Sequence, residues 1–288
     1  MAPSENADPF TGTGARTEEL RHLPLGSCVL FRHCQKDQML NKIKEFSATA
    51  GAGLELSEAH VGAIASVLEA GVGGNAFPMD RIEAFMSAIK VCSQWDRDCL
   101  FPVFDALRVG MLSTDAGQAI DKLVAFCSLF DLLVQAVAPP RNVPVELTAL
   151  RMVANACTAS PAFVQSLFEP VILPLAECAR SKSKHVRMAW ATVLLNCAVL
   201  SRNGQAEVDD VLLLSLSFQA ASDLLGALDT DACFRALGAM GTLMAKGSGL
   251  VAMASDLGAA ELVSRGKQMG GKISEVAKDI ELITARAA

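Results

Sequence analysis

Two arginines and two asparagines stand out within otherwise apolar stretches of the sequence. Arg151 and Arg235 end the segments Leu-Thr-Ala-Leu-Arg and Ala-Cys-Phe-Arg, whereas Asn155 and Asn196 end Met-Val-Ala-Asn and Val-Leu-Leu-Asn. A guanidinium presents a planar fork that fits a carboxylate in two-point contact. A carboxamide can both donate to and accept from a peptide backbone. These residue types predict a site for an acidic, extended peptide rather than bond-making chemistry.

The spacing of these residues indicates a structural repeat. The positions that align are Arg108, Arg151, Thr192 and Arg235, with Asn155 and Asn196 one helical turn after the second and third of them. Successive steps between the aligned positions are 43, 41 and 43 residues. A period of this size is typical of armadillo and HEAT solenoids, in which the last helix of each unit lines the concave surface. The repeat therefore predicts one polar strip on that surface.

Composition and periodicity favour an all-α fold. The chain has 288 residues, of which 51% are hydrophobic and 5% aromatic, and it contains no tyrosine. Ala, Leu, Val and Met favour helices over strands. We predict a disordered or loosely docked linker over 1–22, a short extended segment over 23–31, and one helical domain over 23–288. The predicted helices are 37–48, 57–70, 80–92, 97–113, 115–137, 145–158, 161–180, 184–201, 208–228, 231–246, 248–268 (as one helix or two short ones) and 272–286.

Charge and hydropathy argue against nucleic acid and membrane as main partners, and cysteine usage indicates the compartment. The net charge of −6 argues against nucleic acid as the main ligand. The longest apolar stretch, 123–138, is too short and too polar to span a bilayer, and no signal peptide is evident. Six of the nine cysteines lie in apolar helical patterns, as small hydrophobic residues do in a reducing compartment. We expect a cytoplasmic location, with the nucleus as the alternative.

Three other interpretations are weaker. Nine cysteines and four histidines allow a Cys–His nucleophile pair, yet the sequence contains no peptidase signature, nucleophile elbow, P-loop or dinucleotide fingerprint. The chain is therefore expected to be no enzyme and to need no cofactor. The residues of 22–34 that could bind zinc are His22, Cys28, His33 and Cys34, but their spacing is unlike that of zinc sites, so no metal is expected. The basic run 180–187 is typical of a solvated helix start.

Several segments in order resemble the PUL domain of the phospholipase A-2-activating protein family. Glu146 to Thr158 (Glu-Leu-Thr-Ala-Leu-Arg-Met-Val-Ala-Asn-Ala-Cys-Thr) is similar to a signature segment of that domain. The other segments that carry the resemblance are 231–243, 100–108, 189–196, Asp8-Pro-Phe-Thr-Gly12 and 31–46. Together they extend over about residues 8–286, nearly the whole chain.

The resemblance implies a fold, a ligand and a pathway. The family's domain is an armadillo-like α-α superhelix of about six repeats. It binds the acidic C-terminal tail, with an aromatic residue near its end, of the AAA segregase ATPase valosin-containing protein. The family acts in ubiquitin-dependent degradation and ubiquitin recycling. Its larger members also carry a WD-repeat propeller and a ubiquitin-binding PFU domain, which these residues lack, so we expect contact with ubiquitin only through such other domains.

The resemblance also implies roles for the repeated polar residues. The groove arginines of the family map onto Arg151 and Arg235, which would bind carboxylates of the tail. Asn155 and Asn196 would hold its backbone, and Thr192 and Arg108 are secondary candidates. The alternative is an armadillo-type scaffold for a different peptide, without segregase binding.

Overall fold

The computed structural model describes residues 19–126 and 129–287, and the fold in that part of the chain is all-α. Its only strand-like feature there is an isolated bridge between Ala76 and Thr114. The fourteen helices of the described residues are α1 Lys36–Thr49, α2 Glu58–Gly73, α3 Ile82–Cys92, α4 Phe101–Gly110, α5 Ala116–Phe126, α6 Leu129–Val137, α7 Val143–Ala159, α8 Pro161–Leu167, α9 Lys184–Arg202, α10 Asp210–Gly226, α11 Thr230–Met244, α12 Ser248–Asp256, α13 Ala259–Met269 and α14 Gly271–Ala287. The predicted fold class is confirmed.

Six helices form a continuous inner layer. They are α2, α4, α7, α9, α11 and α14, and each packs against the next. Of the remaining helices, α1 packs on α2 and α4, and α10 packs on both α9 and α11. Each unit buries its apolar face against its neighbours, so the core runs the length of the molecule. Trp190 at the centre of α9 is completely buried in this core.

Two predicted helices are more broken than their periodicity indicated. The predicted helix 161–180 comprises α8, a π turn at Phe168–Ile172 and a 3-10 segment at Leu173–Arg180. Pro170 and Pro174 explain the change, because proline lacks the backbone N–H that continues an α-helix. The predicted helix 97–113 starts with a 3-10 turn at Arg97–Cys99, and its α-helix ends at Gly110.

By length and hydropathy, one stretch of the described residues, Pro161–Arg180, could cross a membrane. Half of its apolar window is buried inside the fold, and the 3-10 part packs against α9 and α10. It is therefore placed as a core element of the solenoid.

In the described residues before α1, 19–35, the backbone is not helical. Residues 21–33, here called the strap, lie across the inner layer, whose helices are bonded to the strap from α14 to α4. The predicted extended segment, 23–31, lies within the strap. Residues 1–18 of the predicted linker lie outside the described residues.

Candidate peptide-binding groove

Five successive inner helices each bond the backbone of the strap through one polar side chain. The side chains are Asp279 of α14, Thr242 of α11, Asn196 of α9, Asn155 of α7 and Arg108 of α4. The strap therefore crosses the helices in the reverse of their chain order. This arrangement divides the inner face lengthwise into a covered row, formed by these five side chains, and an open row, which contains the half-buried Arg151 and Arg235.

Asn155 and Asn196 pair with the strap as a neighbouring strand would. Asn155 Oδ1 accepts from the backbone N–H of Phe31 at 2.8 Å, and its Nδ2 donates to the Phe31 carbonyl at 3.1 Å. Asn196 makes the same pair with Val29, at 2.8 and 2.9 Å. Both side chains are completely buried. The amide-to-backbone pairing predicted for a bound peptide is thus made here with the chain's own backbone, so in this conformation neither amide is free for another peptide.

Arg108 is also engaged by the strap. Its guanidinium donates to the carbonyls of Phe31 and His33, and its Nε lies 2.5 Å from Asp105 Oδ1. The side chain is 2% exposed. Arg108 therefore holds the strap and does not share the open row with Arg151.

The start of the strap is held by a carboxylate that the sequence analysis did not single out. Asp279 accepts from the backbone N–H groups of Arg21 at 3.0 Å, His22 at 2.6 Å and Leu23 at 3.1 Å. It is buried in α14. The sequence signal for this role was an acid at one of the apolar positions of that helix. A carboxylate at such a position is buried and therefore requires hydrogen-bond donors from elsewhere in the chain.

Arg151 lies in the open row and contacts the strap through an aromatic ring. Its guanidinium carbon is 5.3 Å from the centre of the Phe31 ring. Its Nε is buried without a hydrogen-bond partner, and among the described residues it has no carboxylate within ion-pair distance. Burial lowers the pKa of Arg151, and the nearby charge of Arg108 lowers it further. Arg151 is thus a half-buried cation without a counter-ion.

Arg235 occupies the equivalent position two inner helices away. It donates through Nη1 to Thr192 Oγ1, and the same hydroxyl donates to the Met188 carbonyl at 2.7 Å. Burial lowers the pKa of Arg235, while Asp231 raises it. Thr192 is fully buried, so it supports Arg235 from behind and is not itself exposed to a ligand.

A pocket of about 540 Å³ opens beside Arg235. Apolar walls come from the strap, from α9, from α11 and from the α13–α14 turn, and the cations at its edge are Arg235 and Lys272, with Asp231 as an acid. The apolar residues of the walls are Leu25, Val29, Leu195, Phe234, Met269 and Ile273. The pocket combines positive charge with an apolar interior.

The side chains considered for metal binding and for nucleophilic chemistry lie apart or are buried. In the part of the chain that the structure describes, no group of three metal-ligating side chains comes together. Cys92, Cys157, Cys178, Cys197 and Cys233 are buried, whereas Cys127 lies outside the described residues. Burial raises the pKa of the Cys92 and Cys233 thiols to about 12, which disfavours the nucleophilic thiolate.

The basic run 180–187 is occupied by local ion pairs. Arg180 pairs with Asp223 at 3.1 Å, and Arg187 pairs with Asp229 at 2.7 Å. The first contact ties the 3-10 segment before α9 to α10, and the second ties α9 to the start of α11. Arg180 and Arg187 of this run therefore have a structural role.

Comparison with known proteins gives one family and one related fold. The PUL domain family model matches residues 23–279. A phospholipase A-2-activating protein of Xenopus laevis is 23% identical over 242 residues, covering 82% of this chain and 29% of that protein. The chain therefore spans less than a third of that relative's length. A crystal structure of an engineered protein has a similar fold, with a TM-score of 0.54 and 16% identity, over 86% of this chain and 96% of that one.

Proposed function

The chain belongs to the PUL domain family of protein-interaction domains, and we propose that its inner face binds the acidic C-terminal tail of the AAA segregase valosin-containing protein. The site is the open row of the inner layer, formed by the half-buried or exposed residues Leu147, Arg151, Met188, Phe234, Arg235 and Lys272. In this proposal the domain serves ubiquitin-dependent degradation and ubiquitin recycling in the cytoplasm or nucleus, and catalyses nothing itself.

The observation that carries the proposal is the state of the two arginines. Arg151 and Arg235 are half-buried, yet neither has a carboxylate within ion-pair distance among the described residues. A partly desolvated cation without a counter-ion is unfavourable, and an incoming carboxylate would remove that cost. An acidic peptide supplies such groups at both positions.

The surroundings of the arginines favour the same ligand. The pocket beside Arg235 has apolar walls and would accept the aromatic residue that the family's ligand carries. A PUL domain without segregase binding, serving as scaffold for another peptide, is the alternative.

The spacing of the arginines sets a minimum length for the peptide. Arg151 and Arg235 lie on α7 and α11, with α9 packed between them. Neighbouring helices pack about 8–10 Å apart, so the two side chains are roughly 16–20 Å apart. An extended chain advances about 3.3 Å per residue, and a ligand therefore needs about five or six residues to reach both.

A titration with a fluorescent tail peptide tests the proposal. We expect the double variant Arg151→Ala/Arg235→Ala to bind at least roughly thirty-fold more weakly than the wild type, because each removed guanidinium leaves a ligand carboxylate unpaired. Raising the salt concentration should weaken wild-type binding, because exposed charge contacts are screened.

The matched control is Arg180→Ala/Arg81→Ala, which removes two exposed arginines outside the open row. It should bind like the wild type. Unchanged affinity in a folded Arg151→Ala/Arg235→Ala variant would remove the proposed site. Equal affinity for a scrambled peptide of the same charge would favour the alternative scaffold.

A further inference from the structure

The strap forms one side of the proposed binding site as well as covering the row beside it. Its Leu25 and Val29 side chains are walls of the pocket next to Arg235. Its Phe31 ring lies under the Arg151 guanidinium. Both arginines of the open row therefore have strap residues as neighbours.

Phe31 is more firmly held than its position in a non-helical segment would indicate. Its backbone N–H and carbonyl are both bonded to Asn155, at 2.8 and 3.1 Å. The carbonyl also accepts from Arg108. Because Asn155 and Arg108 are themselves buried, these bonds fix the backbone from which the ring projects.

The ring in turn limits where the Arg151 side chain can go. A guanidinium is attracted to an aromatic face, and a ring already fixed in place restricts the arginine to fewer rotamers. The buried, unpartnered Nε of Arg151 is consistent with a side chain packed along the ring, rather than one oriented by a hydrogen bond at that nitrogen. The guanidinium is then oriented before a ligand arrives, which reduces the entropy lost on binding.

We propose that Phe31 is a positioning residue for Arg151, so that the strap completes the carboxylate site and is not merely a cover of the inner face. The inference rests on the proposed peptide-binding function and specifies how one of its two arginines is prepared. Asn155 and Arg108 then contribute to binding through Phe31, without touching the ligand.

A double-mutant cycle with the tail peptide tests this inference. Phe31→Leu keeps an apolar side chain but removes the ring, and we expect it to weaken binding by about three- to ten-fold. Phe31→Tyr keeps the ring face and should bind like the wild type. In an Arg151→Ala background, Phe31→Leu should have no further effect, because the residue that it positions is gone.

A second pair of a cation and an aromatic ring, outside the groove, provides a matched control. Phe46 of α1 is also half-buried and also carries a cation, Lys42, 4.9 Å from its ring centre. Phe46→Leu should leave the peptide affinity unchanged. Equal weakening by Phe46→Leu would assign the Phe31 effect to general destabilisation and overturn the inference.

A measurement without ligand separates the inference from the proposed function. Arg151 Cζ, to which Nε is bonded, lies 5.3 Å from the centre of the Phe31 ring. The Nε–H should therefore give a ring-current-shifted resonance in nitrogen–proton spectra. This shift should persist in Phe31→Tyr and disappear in Phe31→Leu. An unshifted wild-type resonance, or additive effects in the cycle, would overturn the inference while peptide binding stands. Failure of the proposed function would appear differently, because the Arg151→Ala/Arg235→Ala variant would then bind the tail peptide as tightly as the wild type.

Discussion

Asn155 and Asn196 show how a single residue type can align an extended segment on helices. Each uses its oxygen and nitrogen on the two backbone groups of one strap residue, Phe31 or Val29, two positions apart. The second amide hydrogen bonds the preceding inner helix, at the carbonyls of Arg108 and Ala154 respectively. Each carboxamide thus joins two helices and the strap.

Removal of one carboxamide should destabilise the domain. Asn196→Ala would leave the Val29 backbone groups and the Ala154 carbonyl without their partner in a buried site. We expect the free energy of unfolding to fall by about 1–3 kcal/mol, as measured by urea denaturation. The control Asn203→Ala removes an exposed asparagine that also donates to the strap, at 3.4 Å from the Gly26 carbonyl, and should change stability by no more than about 0.5 kcal/mol. An equal loss in both variants would contradict the role of burial.

For individual residues, the sequence predicted which side chains make polar contacts, but not their partners. The repeat placed Asn155 and Asn196 on one face and indicated that they bind extended backbone. It could not indicate that this backbone is residues 29–31, because the pairing joins segments 124 and 167 positions apart. Asp279 and Thr242 were missed because they do not share the local pattern around Arg151 and Arg235.

Among the elements, α2 and α4 approach each other closely at a glycine. A Cβ at Gly71 of α2 would lie 2.0 Å from the carbonyl oxygen of Val109 in α4. The obstacle is backbone, which cannot move aside as a flexible side chain can. Glycine is thus required where these two inner helices meet.

A pair of alanine substitutions in α2 tests this contact. Gly71→Ala should lower the free energy of unfolding by about 1–3 kcal/mol or more, because the helices must separate. Gly62→Ala in the same helix meets no atom within 4 Å and should raise stability by up to about 1 kcal/mol, since alanine favours helix. Thermal or urea unfolding of both variants gives the comparison. Stabilisation by both substitutions would contradict the close approach.

Helix positions were largely predictable from periodicity, whereas interruptions were not. The predicted 184–201 and 145–158 differ from α9 and α7 by two residues or fewer at each end. The prediction of one helix over 161–180 missed the interruptions caused by Pro170 and Pro174, because the apolar pattern continues through both prolines. Apolar spacing reports which face is buried, and it is less sensitive to the loss of a backbone donor.

Across the whole molecule, the strap joins the first part of the described chain to the last helix. His22 Nε2 lies 2.8 Å from Glu275 Oε2, beside the bonds from Arg21, His22 and Leu23 to Asp279. The His22 contact lowers the pKa of Glu275, with smaller contributions from the charges of Arg21 and Lys278. This lowered pKa makes the stability of the contact between the strap and α14 depend on pH.

The pH dependence has a definite sign. A carboxylate whose pKa is lowered in the folded state stabilises the fold at any pH above its ordinary pKa. This contribution is lost as the pH falls from the ordinary pKa through the lowered one. Glu275→Gln should therefore be less stable than the wild type at neutral pH, and the difference should shrink as the pH falls below about 4.5, the ordinary value. Urea midpoints from pH 7 to pH 3 measure the difference. A difference that does not change with pH would contradict the assignment.

The reversed direction of the strap has a consequence for protein synthesis. Arg21 leaves the ribosome before the inner helices do, and its partner Asp279 lies 258 residues later in the chain. At about 5–20 residues per second, roughly 13–50 s pass between the translation of Arg21 and that of Asp279. The other anchors of the strap, from Arg108 to Thr242, appear in the opposite order. The nascent solenoid can therefore stack its helices from the N-terminal end, while the strap closes fully over the inner face only after the last helix has emerged.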